Sequence, residues 1–146
     1  MNIAIVGATG NVGRKTLKVL EQKKIPIDQL YLVASPRRAG QKISFNGKDC
    51  EVKNLATYDF SKAEITFFAA GGKISAQYAE KAAKHSMVID SSSFFRMNPD
   101  VPLIVPHVNP EAIDGLKKNI IANPNCSTTQ LVIVLKPLHD LFNIKR

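Results

Sequence analysis

Apolar residues along the chain come in short bursts separated by glycine, proline and charge. Residues 1–6 are mostly apolar with weak alternation, the pattern of a strand buried on both faces in a parallel sheet. After a glycine-containing stretch, Val12, Thr16, Val19 and Leu20 recur at helical spacing. They predict a helix to about residue 24, ended by Pro26. Residues 30–34 (Leu-Tyr-Leu-Val-Ala) form a second strand pattern. Residues 42–52 alternate on either side of Asn46-Gly47, which predicts a hairpin. Residues 65–70 are a further buried run, and a helix over about residues 75–84 follows. Its Ala76, Ala79, Ala82 and Ala83 allow close packing on a sheet. Residues 87–90, 103–105 and 119–122 read as strands. Asn109-Pro110 reads as an N-cap with proline at the first helical position. A last helix begins near Cys126, and Pro137 should end or kink it.

Strands alternating with helices predict an α/β fold: a doubly wound, mostly parallel sheet with helices on both faces. Residues 1–122 read as one such domain. Residues 123–146 read as a turn and a helix that follow it.

Between the first strand and helix stand Gly7-Ala8-Thr9-Gly10-Asn11-Val12-Gly13, a G-x-x-G-x-x-G pattern one residue longer than the common G-x-G-x-x-G. Glycine there permits a tight turn, lets the backbone approach a diphosphate, and lets the helix pack close to the strand. The strand, turn, helix and strand span about 30 residues, the context that lifts the pattern above a plain turn. Gly7, Thr9, Gly10, Asn11, Val12 and Gly13 are therefore candidate nucleotide contacts. An acidic residue ending the second strand would hydrogen-bond a ribose 2′-OH and favour NAD. The chain instead reads Ala34-Ser35-Pro36-Arg37-Arg38-Ala39-Gly40. Ser35, Arg37 and Arg38 suit a 2′-phosphate, and hence NADP, unless they are simply a basic surface loop. Gly71-Gly72 ends the run at 65–70, where a doubly wound sheet meets its ligand, or is a plain tight turn.

At the other end of the chain, Asn123-Pro124-Asn125-Cys126-Ser127-Thr128-Thr129-Gln130 places a thiol at a helix N-terminus. The macrodipole and free N–H groups there favour the thiolate, which attacks carbonyl carbons. Ser91-Ser92-Ser93-Phe94-Phe95-Arg96 could form an anion pocket at a strand end, or is a serine-rich loop with a surface arginine. Cys50 lies on the hairpin with no basic partner and reads as a packed side chain.

Composition narrows the class. With 146 residues, 45% hydrophobic and 22% charged, the chain has the length and balance of one soluble domain. No apolar run reaches the roughly 18 residues of a membrane span. The start of the chain has no secretory signal pattern, and two cysteines make no disulfide framework. Together these favour a reducing cytoplasm. Net charge is +8, but Lys and Arg are scattered and no aromatic platform accompanies them, so nucleic acid is not the favoured partner. His85, His107 and His139 are isolated, and no Cys/His spacing suggests a metal site.

The ordered segments 7–13, 34–40, Phe-Phe-Ala-Ala-Gly-Gly (67–72), Asp-Ser-Ser-Ser-Phe-Phe-Arg-Met (90–97), Val-Pro-His-Val-Asn-Pro (105–110) and 123–130 closely resemble the aspartate-semialdehyde dehydrogenases. The resemblance implies a Rossmann-like NADP-binding domain and a cytoplasmic homodimer. It also implies reductive dephosphorylation of L-4-aspartyl phosphate to L-aspartate 4-semialdehyde, a step toward lysine (through diaminopimelate), threonine and methionine. In that scheme Cys126 matches the nucleophile that forms the thioester. Arg96 matches an arginine that binds phosphate or the phosphoryl group, and Asn125 a residue that positions substrate. The glycine turn at 7–13, Arg37 and Arg38 match NADP contacts, beside the Ser35 and Gly71 candidates read from the residues. Ser91 stands where the family often has Asn, His107 where an acidic residue is common, and Arg38 where relatives often have Ser. The resemblance further implies a glutamine, an arginine, a histidine base and most of a dimer interface beyond the nucleophile helix. The chain as given is therefore expected to be inactive alone and to expose apolar surface. N-acetyl-glutamyl-phosphate reductase shares the thioester logic, but the turn at 123–129 argues against it. A nucleotide-binding product without catalysis is the non-enzyme alternative.

Overall fold

The structure is a computed structural model and describes residues 1–145. Its strands are β1 (Asn2–Val6), β2 (Gln29–Ala34), β3 (Lys42–Phe45), β4 (Lys48–Asn54), β5 (Ile65–Phe68), β6 (Met87–Asp90) and β7 (Ile120–Ala122). Its helices are α1 (Asn11–Gln22), α2 (Gly72–Ala82) and α3 (Cys126–Phe142). The strands form one sheet in the order β3-β4-β2-β1-β5-β6-β7. All pairings are parallel except β3 with β4. From β1 the chain winds first toward β2 and β4, then returns to β5 and continues to β6 and β7. The direction reverses between β1 and β5, and the crevice above that reversal is where such sheets bind ligands.

The β3–β4 hairpin turns at Asn46 and Gly47, both at positive φ (49° and 74°), as a two-residue turn matched to strand twist requires. Cys50 packs from β4 against the core with its thiol pushed above its ordinary range, first by burial and then by Asp49.

Strand alternation sorts the core onto two faces. Ile3, Ile5, Leu32 and Val52 pack with Leu17 and Leu20 of α1 on one face. Val6, Val33, Phe68, Val88 and Ile120 pack with Ala79 and Ala82 of α2 on the other. Full burial of each large aliphatic side chain contributes about 1.5–3 kcal/mol. The α2 face is covered along β5, β6 and β7. The α1 face is not: Phe67, Ile89 and Ile121 remain half-buried.

Several elements differ from the sequence expectation. The buried stripe of α1 is Gly13, Leu17 and Leu20, while Val12 and Val19 are 52% and 49% exposed. The cause is Gly13. It packs so tightly on the glycine turn that a Cβ there would collide with the Gly7 carbonyl oxygen, and this fixes the rotation of α1. In α2, Ala79 and Ala82 are buried as expected, but Ala76 is exposed and Ser75 takes the place next to the sheet. Residues 103–105 form only a single bridge, Leu103 to Ala122. Asn109 and Pro110 do open a helical turn, the 3-10 segment Pro110–Ile113 with Pro110 first, as the sequence predicts, but the Asn109 side chain makes no capping hydrogen bond. Its amide accepts from Val105 N and donates to Leu103 O, both at 2.9 Å, and bends the loop back on itself. Pro137 lies inside α3, which continues to Phe142. The helix is solvated, so water can serve the carbonyl that proline leaves without a donor.

Candidate functional site

β1 delivers the chain to Gly7, whose φ of +87° is a left-handed conformation that glycine adopts without strain. Gly7 N donates to Val33 O at 2.8 Å and Gly10 N to Gly7 O at 2.9 Å, closing the turn. A Cβ on Gly7 would lie 2.7 Å from Ala69 O, so β5 and the turn touch through backbone alone. Gly10 precedes α1 without a side chain to cap it, and the first turn of α1 holds no acidic residue. Its free N–H groups and positive dipole end therefore remain available to an anion.

Above the sheet lies a cleft of about 540 Å³. Gly7, Thr9 and Gly10 form its floor and Ser35 and Pro36 one rim, with Ala69 and Ala70 opposite. Among the described residues no carboxylate lines it. The structure thus brings Gly7, Thr9, Gly10 and Ser35 together. Asn11, Val12, Gly13, Arg37, Arg38 and Gly71 are not in the lining. Asn11, Val12 and Gly13 occupy the first turn of α1, where their backbone is the relevant group. Arg37 and Arg38 sit in a 3-10 turn, Pro36–Arg38, directly after the Ser35 rim, exposed and in no ion pair among the described residues. Gly71 caps α2 at φ +86°.

Sequence reasoning missed the far wall: Leu55, Ala56, Ile74, Gln77 and Tyr78. Leu55 and Ala56 follow the carboxyl end of β4, so the strand-end rule could have found them. The α2 residues carry no local signal and depend on how that helix crosses the sheet. Arg14 was also missed. Its Nε donates to Thr9 O at 3.2 Å, which places a cation on the glycine turn.

The second group of candidates gathers at the carboxyl ends of β6 and β7. Arg96 Nε donates to Asn123 O and Nη2 to Ser91 O, each at 3.1 Å. A guanidinium carries five N–H donors, so three remain without a protein partner among the described residues, and no carboxylate pairs with it. Asn123 is three residues before Cys126. Cys126 is the first residue of α3 and is exposed. Asn125 is the N-cap: its Oδ1 accepts from Ser127 N at 2.9 Å. Its carbonyl oxygen accepts from Thr129 N at 2.9 Å and from Thr129 Oγ1 at 3.1 Å. The Asn125 Nδ2 group keeps both donors free among the described residues. No histidine contacts the thiol by hydrogen bond, and His85, His107 and His139 are all exposed. The expected anion pocket of hydroxyls is only partly present, because the Ser92 hydroxyl is committed to Asp90 at 2.6 Å.

A doubly wound parallel sheet with a glycine turn at its switch point defines a Rossmann-like dinucleotide-binding domain. The chain belongs to the family described as semialdehyde dehydrogenase, NAD binding domain, whose model matches residues 2–116. It is 54% identical to the aspartate-semialdehyde dehydrogenase of Aquifex aeolicus over 99% of this chain and 43% of that protein. A crystal structure of aspartate semialdehyde dehydrogenase II from Vibrio cholerae, complexed with ASA, superposes with TM-score 0.92 and 50% identity. That match covers 95% of this chain and 46% of the other. An aspartate semialdehyde dehydrogenase from Candida albicans, solved with NADP, matches with TM-score 0.78 at 28% identity over 98% of this chain and 48% of that one. The chain spans less than half the length of the curated relatives it matches.

Proposed function

We propose that this chain is the cofactor-binding and nucleophile-bearing part of a cytoplasmic, homodimeric, NADP-dependent aspartate-semialdehyde dehydrogenase. Residues 1–122 form the cofactor domain and residues 123–146 open the catalytic one. The observation that carries the reading is the link at the strand ends. Arg96, with three free donors among the described residues, is hydrogen-bonded to the turn that presents Cys126, at the same carboxyl end of the sheet as the glycine-floored cleft.

The cleft suits a dinucleotide phosphate. The uncapped start of α1 supplies N–H groups to a diphosphate, with Gly7, Thr9 and Gly10 allowing its close approach. Ser35, Arg37 and Arg38 follow β2, where a ribose 2′-phosphate would be met by a hydroxyl and guanidinium groups rather than by a carboxylate. Gly71 permits close approach from the opposite rim. When bound, NADPH supplies the hydride.

The chain's own residues do the rest. Cys126 attacks the acyl carbon of L-4-aspartyl phosphate, its sulfur forms the thioester bond, and inorganic phosphate leaves. Arg96 binds the phosphoryl oxygens and stabilises the charge that develops as the C–O bond breaks. The free Asn125 amide hydrogen-bonds the substrate and orients its carbonyl toward the sulfur. Covalent catalysis divides one hard acyl transfer into two easier steps. Proton transfer in the reduction step needs a general acid–base group, as proton donor to the reduced centre and as base in the reverse direction, that no described histidine supplies at Cys126, and such help is typically worth about 10²- to 10⁴-fold. This chain alone should therefore acylate without sustained turnover.

Incubation with L-4-aspartyl phosphate followed by intact-mass analysis tests this. An aspartyl adduct on the wild-type chain, absent from Cys126→Ser, supports the reading. No adduct on wild type, or turnover of NADPH near ordinary enzyme rates, sinks the corresponding part.

A further inference from the structure

Among the described residues, Asp90 is the one acidic or basic side chain in the core, 0% exposed at the end of β6, and no cation pairs with it. A buried carboxyl group of this kind is tolerated only if hydrogen bonds replace its hydration. Three do. Ser75 Oγ donates to Oδ1 at 2.6 Å, Ser92 N to Oδ1 at 3.3 Å, and Ser92 Oγ to Oδ2 at 2.6 Å.

These bonds lead to two different parts of the site, one through Ser75 and one through Ser92. Ser75 lies in the first turns of α2, the helix whose Ile74, Gln77 and Tyr78 form the far wall of the cleft. Ser92 begins the loop that carries Arg96, and its Oγ also accepts from Phe94 N at 3.1 Å, which extends the relay along that loop. The Asp90 main chain reaches the third part, since its carbonyl accepts from Asn123 N at 2.8 Å. Asn123 is also the residue that receives Arg96 Nε.

We propose that Asp90 is a positioning residue that sets the α2 wall of the cofactor cleft and the Arg96 loop in register with each other. Both arms hang from one carboxylate, so the cofactor and the phosphoryl group are placed relative to each other by one residue that touches neither. This rests on the assignment of the cleft and Arg96 made above.

The chemistry requires a carboxylate. Asparagine offers one acceptor oxygen and a donor NH₂ group. With Nδ2 toward Ser92, the Ser92 hydroxyl would receive two donors, and its own hydrogen would have no acceptor. With Nδ2 toward Ser75, Nδ2 would face the Ser92 N–H, so that bond is lost and the Ser75 hydroxyl must turn from donor to acceptor. Asp90→Asn therefore removes or reverses a bond in one arm while keeping the volume.

The test uses the 146-residue chain and two probes, NADPH and inorganic phosphate, each titrated into wild type, Ser75→Ala, Ser92→Ala and Asp90→Asn. Ser75→Ala should weaken NADPH about tenfold and leave phosphate within about twofold; Ser92→Ala should do the reverse. Asp90→Asn should weaken both and shift the Arg96 Nε–H resonance in ¹H–¹⁵N spectra. A general loss of stability would weaken both ligands in all three variants alike, and that pattern overturns the proposal. So does a folded Asp90→Asn that binds both probes within about twofold of wild type. Should Asp90→Asn fail to fold, the opposite selectivities of the two serine variants decide. If wild type binds neither probe, the functional reading falls, and amide exchange judges the positioning role separately. Asp90→Asn should then speed exchange at Ser92 and Phe94 about tenfold without changing Ile5 or Leu32. Unchanged or uniformly faster exchange overturns it.

Discussion

At residues 7–13 the chain is held from several sides: β2 accepts two of its N–H groups, β5 touches it through backbone, and Gly13 seats α1 on it. At residues 123–129 the chain is held from one side only. Asn123 pairs with β6 and Arg96, Pro124 is buried, and then α3 leaves with no buried residue along its length. Both turns open a helix at its N-terminus. The first has its geometry fixed by the chain's own contacts. The second carries an exposed Cys126, and the helix behind it exposes Leu131, Val134, Leu138, Leu141 and Phe142. Fold stability should therefore be concentrated in the first region and nearly independent of the second.

The largest effect expected from breaking this contrast is at Gly7. Alanine there would hold a left-handed φ, costing about 1–2 kcal/mol, and would press its Cβ into Ala69 O. We expect Gly7→Ala to lose about 4 kcal/mol in urea unfolding and to abolish NADPH binding. Next is a matched pair of leucines. Leu17→Ala in α1, at a position 4% exposed, should cost about 2–5 kcal/mol. Leu138→Ala in α3 should cost under about 0.5 kcal/mol. A cost above about 1 kcal/mol for Leu138→Ala would show that α3 is packed after all.

Removing the cap of α3 should matter locally. Asn125→Ala should destabilise that helix by about 1 kcal/mol, read as faster amide exchange at Ser127 and Thr129 with β1 unaffected. The apolar surface of α3 should also drive association at high concentration. Sedimentation should show self-association in wild type and less of it in a Val134→Lys, Leu138→Lys double variant. A strictly monomeric wild type contradicts this.

The smallest effect is in acid. Hydrogen bonds from Ser61 and Lys117 hold the Asp59 and Asp100 carboxyls below their ordinary 3.8. Because the folded values are lowered, their contribution is present above 3.8 and is lost as pH falls through the folded values. Asp59 is exposed and the Asp100 side chain is 46% exposed, so solvent screens both and Asp100→Asn should flatten acid unfolding only slightly.

Much of this was legible in the sequence because it rests on local chemistry. The 87–90 strand, the Asn46-Gly47 hairpin and the helix starting at Cys126 each follow from residues adjacent to one another. The rotation of α1 was not legible: Val12 and Val19 have the spacing of a buried stripe, and only contact between Gly13 and Gly7 turns them outward. Likewise, Asn109-Pro110 carries a capping signature, but the side chain is taken by the loop it closes. At the site, Arg96 and Cys126 were visible as residues, whereas their connection through Asn123 O joins segments 27 residues apart. The Asp90 network was hidden for the same reason, since Ser75 is 15 residues upstream and on another element.

The most direct test of the central claim, that the cleft above β1 is a self-sufficient NADP site, is calorimetric titration of this chain with NADPH and with NADH. We expect saturable NADPH binding, tighter than NADH, and weakened when Arg37 and Arg38 are both replaced by alanine. No binding of either, or tighter binding of NADH, would contradict it.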